Sequence, residues 1–91
     1  MPFAIRHEPQ ARRFVAEIDG QTAYITYRER DGVLDFDHTY VPKALRGGGI
    51  ASRLTARALD YARERGARVV PTCPFVAAYI ERPPEHRELL V

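Results

Sequence analysis

Three features of this chain carry residue types that could do chemistry: a glycine run opened by an arginine, a histidine in a strand, and a cysteine. Arg46-Gly47-Gly48-Gly49-Ile50-Ala51 joins a strand-patterned segment to a helix-patterned one. Without Cβ atoms the glycines let the main chain turn and let a ligand approach it. The amides that open the helix have no partner inside it, and the helix dipole there favours an anion by about 0.3–1 kcal/mol at an exposed site. Arg46 can add a charge-assisted contact. Together these residues suit phosphate binding. The spacing is not a Walker motif, because no Lys-Ser or Lys-Thr follows, and Gly-x-Gly-x-x-Gly fails as well. Taken alone, the run reads equally well as a structural turn.

His38 lies in the segment Val33 to Val41, where alternation puts it on the face of Leu34, Phe36 and Tyr40. An imidazole with an unperturbed pKa of about 6.5 suits a general base, typically worth roughly 10²–10⁴-fold. The alternative on so apolar a face is a core histidine bonded to a neighbour. Cys73 stands just before Pro74, where a helix begins and a thiolate is favoured. Nucleophile, pocket wall and inert core residue are all open readings for it. Asp35 and Asp37 share a strand face, but carboxylates beside a turn read as solvated and not as a catalytic pair. His7 and His86 fall in expected surface segments. Three histidines so far apart, with one cysteine, give no metal-ligand spacing.

These residues need elements to position them. Phe3 to His7 reads as a short opening strand. Arg13 to Ile18 alternates, with Phe14, Ala16 and Ile18 on one face and Val15 and Glu17 on the other. Gln21 to Arg30 and Val33 to Val41 follow, separated by Asp19-Gly20 and Asp31-Gly32, the strongest short-range hairpin signal. The rhythm then changes: Ile50, Ala51, Leu54, Ala58 and Ala62 form a helical stripe, with Arg53, Arg57, Asp60 and Glu64 opposite and Gly66 as the stop. Ala67 to Thr72 reads as a buried strand, and Phe75 to Arg82 as a short helix closed by Pro83-Pro84. The fold class is mixed α/β: an antiparallel meander, then a β-α-β crossover whose last strands are parallel. The glycine run sits where the topology changes, which is where ligands collect in α/β sheets.

Composition bounds the reading. Ninety-one residues suit one domain, here residues 1–91, burying roughly two-thirds of the surface exposed by the unfolded chain. The net charge is +2, and thirteen of the fourteen cations are arginine. No block of like charges suggests a nucleic-acid arm or a membrane anchor. No apolar run approaches the roughly 18–20 residues that span a bilayer, and the N-terminus lacks a leader's apolar region. One cysteine permits no internal disulfide. The expectation is a cytoplasmic protein with no nucleic-acid or membrane partner.

The loop Arg46 to Ala51, with Val41-Pro42 before it and Leu54 after it, resembles the Arg/Gln-x-x-Gly-x-Gly/Ala signature of the GNAT superfamily of acyl-CoA-dependent N-acetyltransferases. Asp37-His38-Thr39-Tyr40-Val41 and Pro71-Thr72-Cys73-Pro74-Phe75 resemble its compact subgroup of YjdJ-like and NATD1-like proteins. The likeness runs from Ile18 to Leu89. It implies acetyl-CoA as cofactor, with the diphosphate on Arg46, Gly47, Gly48, Gly49, Ile50 and Ala51 and the pantetheine arm along Thr39, Tyr40 and Val41. It further implies His38 as base toward an amine or thiol and Tyr79 as the acid that protonates the departing thiolate. Cys73, beside them, keeps its three readings of acetyl-accepting nucleophile, pocket wall and inert core residue. Packing of α-helix on sheet explains Tyr79 equally well. Larger members begin with a strand and two helices that form the acceptor site, for which this chain lacks the length. An acetyltransferase for an unknown amine or protein acceptor is therefore expected. The alternative is a non-catalytic acyl-CoA-binding or sensing module, and a second copy of the chain is one candidate for the absent wall.

Overall fold

A computed structural model describes residues 3–81 and 84–90. Five strands form one sheet in chain order: β1 (Ile5–Glu8), β2 (Arg13–Ile18), β3 (Gln21–Arg30), β4 (Val33–Tyr40) and β5 (Arg68–Val70). The first four are antiparallel, and β5 joins β4 in parallel. Helix α1 (Ile50–Arg65) connects β4 to β5, and α2 (Pro74–Glu81) follows β5. Short 3₁₀ segments cover Lys43–Leu45 and Pro84–Leu89.

Local chemistry accounts for these boundaries. Asp19 and Gly20 have φ of 51° and 76°, and Asp31 and Gly32 have 52° and 77°. Two consecutive positive values make the two-residue turns that close Ile18 onto Gln21 and Arg30 onto Val33. β5 is shorter than the expected Ala67–Thr72 because Pro71 has no N–H to give to a ladder. β1 begins two residues later than expected, and α2 takes Pro74 as its first residue, where the missing N–H costs nothing. The expected helix end at Arg82 and Pro83 lies outside the described residues.

α1 lays Ile50, Leu54, Ala58, Leu59 and Ala62 on Phe14, Ala16, Ala23, Ile25, Tyr27, Leu34 and Phe36, and Val76 and Ile80 of α2 join the same core. Thr55 is also fully buried in α1, its hydroxyl donating to the Ala51 carbonyl at 2.8 Å. Arg57 departs from the expected helix wheel. It is half-buried over the Phe14 ring, 5.4 Å from its centroid, and not on the solvent side.

One irregularity in β4 decides where the chemistry points. Tyr27 pairs with Phe36, but the next pair is Thr26 with His38, so Asp37 is an extra residue in the ladder. This β-bulge shifts the alternation by one. Leu34 and Phe36 face the core, whereas Asp37, His38 and Tyr40 share the opposite face with Tyr24 and Thr26. Thr39, opposite Ile25, turns to the helix side. The expectation that His38 shares a face with Leu34 and Phe36 is thus corrected.

Candidate functional site

The glycine loop is built from Pro42 onward. Leu45 N–H closes a tight turn on the Pro42 carbonyl at 2.9 Å, and Arg46 N–H reaches the Lys43 carbonyl at 3.3 Å. Arg46 then extends, and its Nε donates to the Val41 carbonyl at 3.0 Å. That bond fixes the arm while its exposed guanidinium keeps its terminal nitrogens for an anion. Gly49 caps α1 with φ 76°, without a side-chain hydrogen bond. The first helical bond runs from Arg53 N–H to the Gly49 carbonyl at 3.1 Å. Ile50, Ala51 and Ser52 N–H groups therefore have no acceptor within the helix. Among the described residues, none of the N–H groups from 47 to 52 donates to a backbone carbonyl elsewhere. A Cβ built on Gly47 or Gly49 would meet nothing within 4 Å. The space in front of these amides is open.

That space is a hollow of about 180 Å³ lined by Val41, Leu45, Arg46, Ile50, Ala51 and Phe75, among others. It falls below the roughly 300–1,000 Å³ of sites that engulf a small ligand whole. It fits one segment of an extended molecule, with free amides at one side and apolar walls at the other.

Cys73 lies beside this hollow in sequence, two residues before Phe75, and only 7% of its surface is exposed. Its N–H donates to the Phe36 carbonyl at 2.9 Å and its carbonyl accepts Ala77 N–H at 3.0 Å, so Cys73 is both the last tie between the parallel chains and the cap of α2. β4 and β5 pair only from Val33–Asp35 to Arg68–Val70. Beyond Phe36, β4 runs on to Tyr40 paired with β3 on one side and with no described strand on the β5 side. Burial would raise the thiol pKa, but the Thr39 hydroxyl and the backbone N–H groups of Val76, Phe75 and Thr39 outweigh it and hold the group below its ordinary value. Thr39 Oγ1 stands 3.6 Å from the sulfur.

The other assigned residues separate. His38 is exposed on the far face of the sheet, its ring centroid 6.0 Å from that of Tyr24. Among the described hydrogen bonds none joins His38 to Cys73. Tyr40 shares the face of His38, Val41 lines the hollow, and Thr39 touches Cys73. Tyr79 is half-buried between Phe75 and His86, with centroid distances of 6.5 and 5.5 Å. Sequence reasoning missed Phe75 and the Thr39–Cys73 contact. The available signal was Cys-Pro-Phe at a helix start, which places a side chain two residues past the cap over the same opening.

His7 is also more than a surface residue. It stacks on Phe14 at 4.3 Å, shares a 2.6 Å hydrogen bond with the Tyr27 hydroxyl and lies against Tyr61. Burial, then the charges of Arg57 and Arg65, lowers its pKa. Burial, with Tyr61, pushes Tyr27 up to about 12.

A strand that parts from its parallel neighbour and ends in a bare-amide glycine loop at a helix start makes an α/β domain with an anion site at its change of topology. The chain matches the GCN5-related N-acetyl-transferase family over residues 13–89 and belongs to it. Within that family it is similar to Protein NATD1: 34% identical to the mouse protein over 91% of this chain and 78% of the relative, and 33% identical to the human protein over 91% and 76%. Its fold is similar to the NMR solution structure of a GCN5-like protein from Staphylococcus aureus, with a TM-score of 0.76, 25% identity, and coverage of 97% of this chain and 87% of that one. No helix among the described residues is long and apolar enough to cross a membrane.

Proposed function

We propose that this chain binds acetyl-CoA through the loop Arg46 to Ala51 and transfers its acetyl group to an amine. The observation that carries the reading is the set of unpartnered N–H groups from Gly47 to Ser52, opening onto a hollow beside Phe75. Such amides and the helix dipole bind a diphosphate, and Arg46 adds two donors. Val41, Leu45 and Ile50 would lie along the arm. Acetyl-CoA, when bound, supplies an activated thioester.

The fold divides the remaining labour. Cys73 draws its thiolate character from Thr39 and the start of α2, and His38 lies on the other face of β4. This separation favours His38 as the base toward the acceptor over a partnership with Cys73. In direct transfer, the amine nitrogen bonds to the acetyl carbon as the bond to the CoA sulfur breaks, and the amine proton passes to His38. In the two-step route, the Cys73 thiolate would take the acetyl carbon as the CoA thiolate leaves. The amine would then take the acetyl group as its bond to Sγ breaks, with the amine proton passing to His38. Cys73→Ala separates the routes: transfer that survives it is direct. Tyr79 serves as the acid that protonates the departing thiolate. A lone free thiol suits a reducing compartment, and we take the cytoplasm as the setting for this reaction.

Calorimetric titration with acetyl-CoA tests the reading. One-site binding that is lost when Gly47 or Gly49 is replaced by aspartate supports it. No binding at millimolar ligand overturns it. A second reading, an acyl-CoA-binding module without turnover, is favoured by the far face of the sheet, where no described helix packs. That reading predicts binding with no acetyl transfer by the isolated chain, and turnover only when a partner or second copy completes the wall.

A further inference from the structure

The sheet has two unlike faces. The helix side holds the core, whereas the strand residues of the other face are all at least partly exposed except Val15. At the β4 bulge this open face gathers aromatic rings and a carboxylate. Tyr24 and Tyr40 lie 5.5 Å apart, Tyr24 and His38 6.0 Å apart, and Tyr40 is 41% exposed. The extra residue in the ladder brings His38 and Tyr40 onto the face of Asp37. Asp37 Oδ1 accepts the Thr26 hydroxyl at 2.6 Å, and its Oδ2 meets Arg28 Nε at 3.4 Å.

We infer that this patch, Tyr24, Asp37, His38 and Tyr40, binds a protonated amine. Three observations converge on that chemistry. Exposed tyrosine rings attract cations through their faces, and Tyr24 already has the Arg13 guanidinium 5.8 Å from its centroid. Arg13 is itself neutralised by Glu8 at 2.7 Å, so it leaves no free positive charge to repel a second cation. Asp37 supplies the opposite charge. Its tie to Arg28 is exchangeable, because the Arg28 side chain is 79% exposed and water screens so exposed an ion pair. Asp35, on the same face and bonded by Thr72, adds a second negative charge nearby. His38 stands between the rings and the carboxylate, placed to receive a proton from an amine held there.

The identification of this amine as the acetyl acceptor rests on the proposed acetyltransferase function; the binding site itself does not. β4 separates the two sites by a single residue step. Thr39 points to Cys73 on one face, while His38 and Tyr40 point to the amine patch on the other. The stretch of β4 past Phe36, unpaired on its β5 side, is then where the two sites meet.

The test is an amide NMR titration of the whole chain, without acetyl-CoA, with butylammonium, butanol and butyrate. Butylammonium is expected to shift the amides of residues 24, 26 and 37–40, butanol at least about fivefold more weakly, and butyrate not at all. Tyr40→Ala, at an exposed position, should weaken butylammonium by about two- to fivefold, the size of an exposed cation–π contact. Asp37→Asn should bring butylammonium down to the level of butanol. Equal binding of amine and alcohol, shifts confined to other residues, or no shifts with any probe would overturn the inference. Amine selectivity in a chain that fails to bind acetyl-CoA would sink the acetyltransferase reading and leave the amine site standing. Acetyl-CoA binding without charge selectivity would sink the amine site alone.

Discussion

The two ends of α1 use the same backbone device for different purposes. Gly49 at the start and Gly66 at the end both sit in the left-handed region, with φ of 76° and 65°. At the end, Gly66 N–H returns to the Ala62 and Arg63 carbonyls and Ala67 N–H to Ala62, so the helix closes on itself. Around that end stand His7, Phe14, Tyr27 and Tyr61, with Arg65 bonded to Glu29 and to Tyr61. At the start no side chain caps the helix, and the amides face an open hollow. A polar group left without a partner in one place, while its equivalent is satisfied in another, marks where a ligand is expected. The closed end stabilises the fold, and the open end is the one proposed to hold acetyl-CoA.

Substitutions can break or sharpen this contrast. The largest effect belongs to the closed end. Phe14 is fully buried beneath His7 and Arg57, and Phe14→Ala should cost about 3–5 kcal/mol in urea unfolding, a large share of the roughly 5–15 kcal/mol that holds a domain together. At the open end Gly49→Asp should act in reverse. Aspartate tolerates the left-handed region and suits a helix start, so stability should change by less than about 1 kcal/mol. Its charge opposes a diphosphate by several kcal/mol, so acetyl-CoA affinity should fall about 100-fold or more, with Gly49→Asn much less affected. Similar losses of affinity in both variants would mean that shape, not charge, governs the loop.

Gly66→Ala is the counterpart. Alanine in the left-handed region costs about 1–2 kcal/mol, which thermal unfolding should register while acetyl-CoA affinity stays unchanged. A change in affinity would show that the two ends are coupled through the helix.

The smallest effect is a pH dependence. His7 has its pKa lowered in the fold by burial and by Arg57 and Arg65. The unfolded chain therefore binds the proton more readily, and the contribution is complete above the unfolded pKa, about 6.5, and is lost as pH falls toward the lower folded value. Unfolding measured across this range should show stability declining below neutrality, with a shallower decline in His7→Gln. An unchanged slope in the variant would assign the dependence to other groups.

Much of this was legible in the chain. Two Asp-Gly pairs announced the hairpins, and the stripe from Ile50 to Ala62 ending at Gly66 announced α1. The face of His38 was not legible. Period-two alternation assumes an unbroken ladder, and the extra residue at Asp37 reverses it for everything that follows. The wheel likewise placed Arg57 in solvent, because it scores charge and not the length of an arm that can lie across Phe14. His7 was passed over for a similar reason. Its partners Tyr27 and Tyr61 are distant in sequence and meet only when the sheet and helix pack. In the loop itself the residues were legible, but the orientation of Cys73 toward Thr39 needed the bulge to turn Thr39 to the helix side.

The most direct test of the contrast is an amide NMR titration of the chain with acetyl-CoA. The account predicts saturable shifts at residues 46–52, with Thr39, Val41 and Phe75 following, and none at residues 62–67. Shifts of equal size at both ends of α1, or no shifts in the loop at millimolar acetyl-CoA, would contradict it.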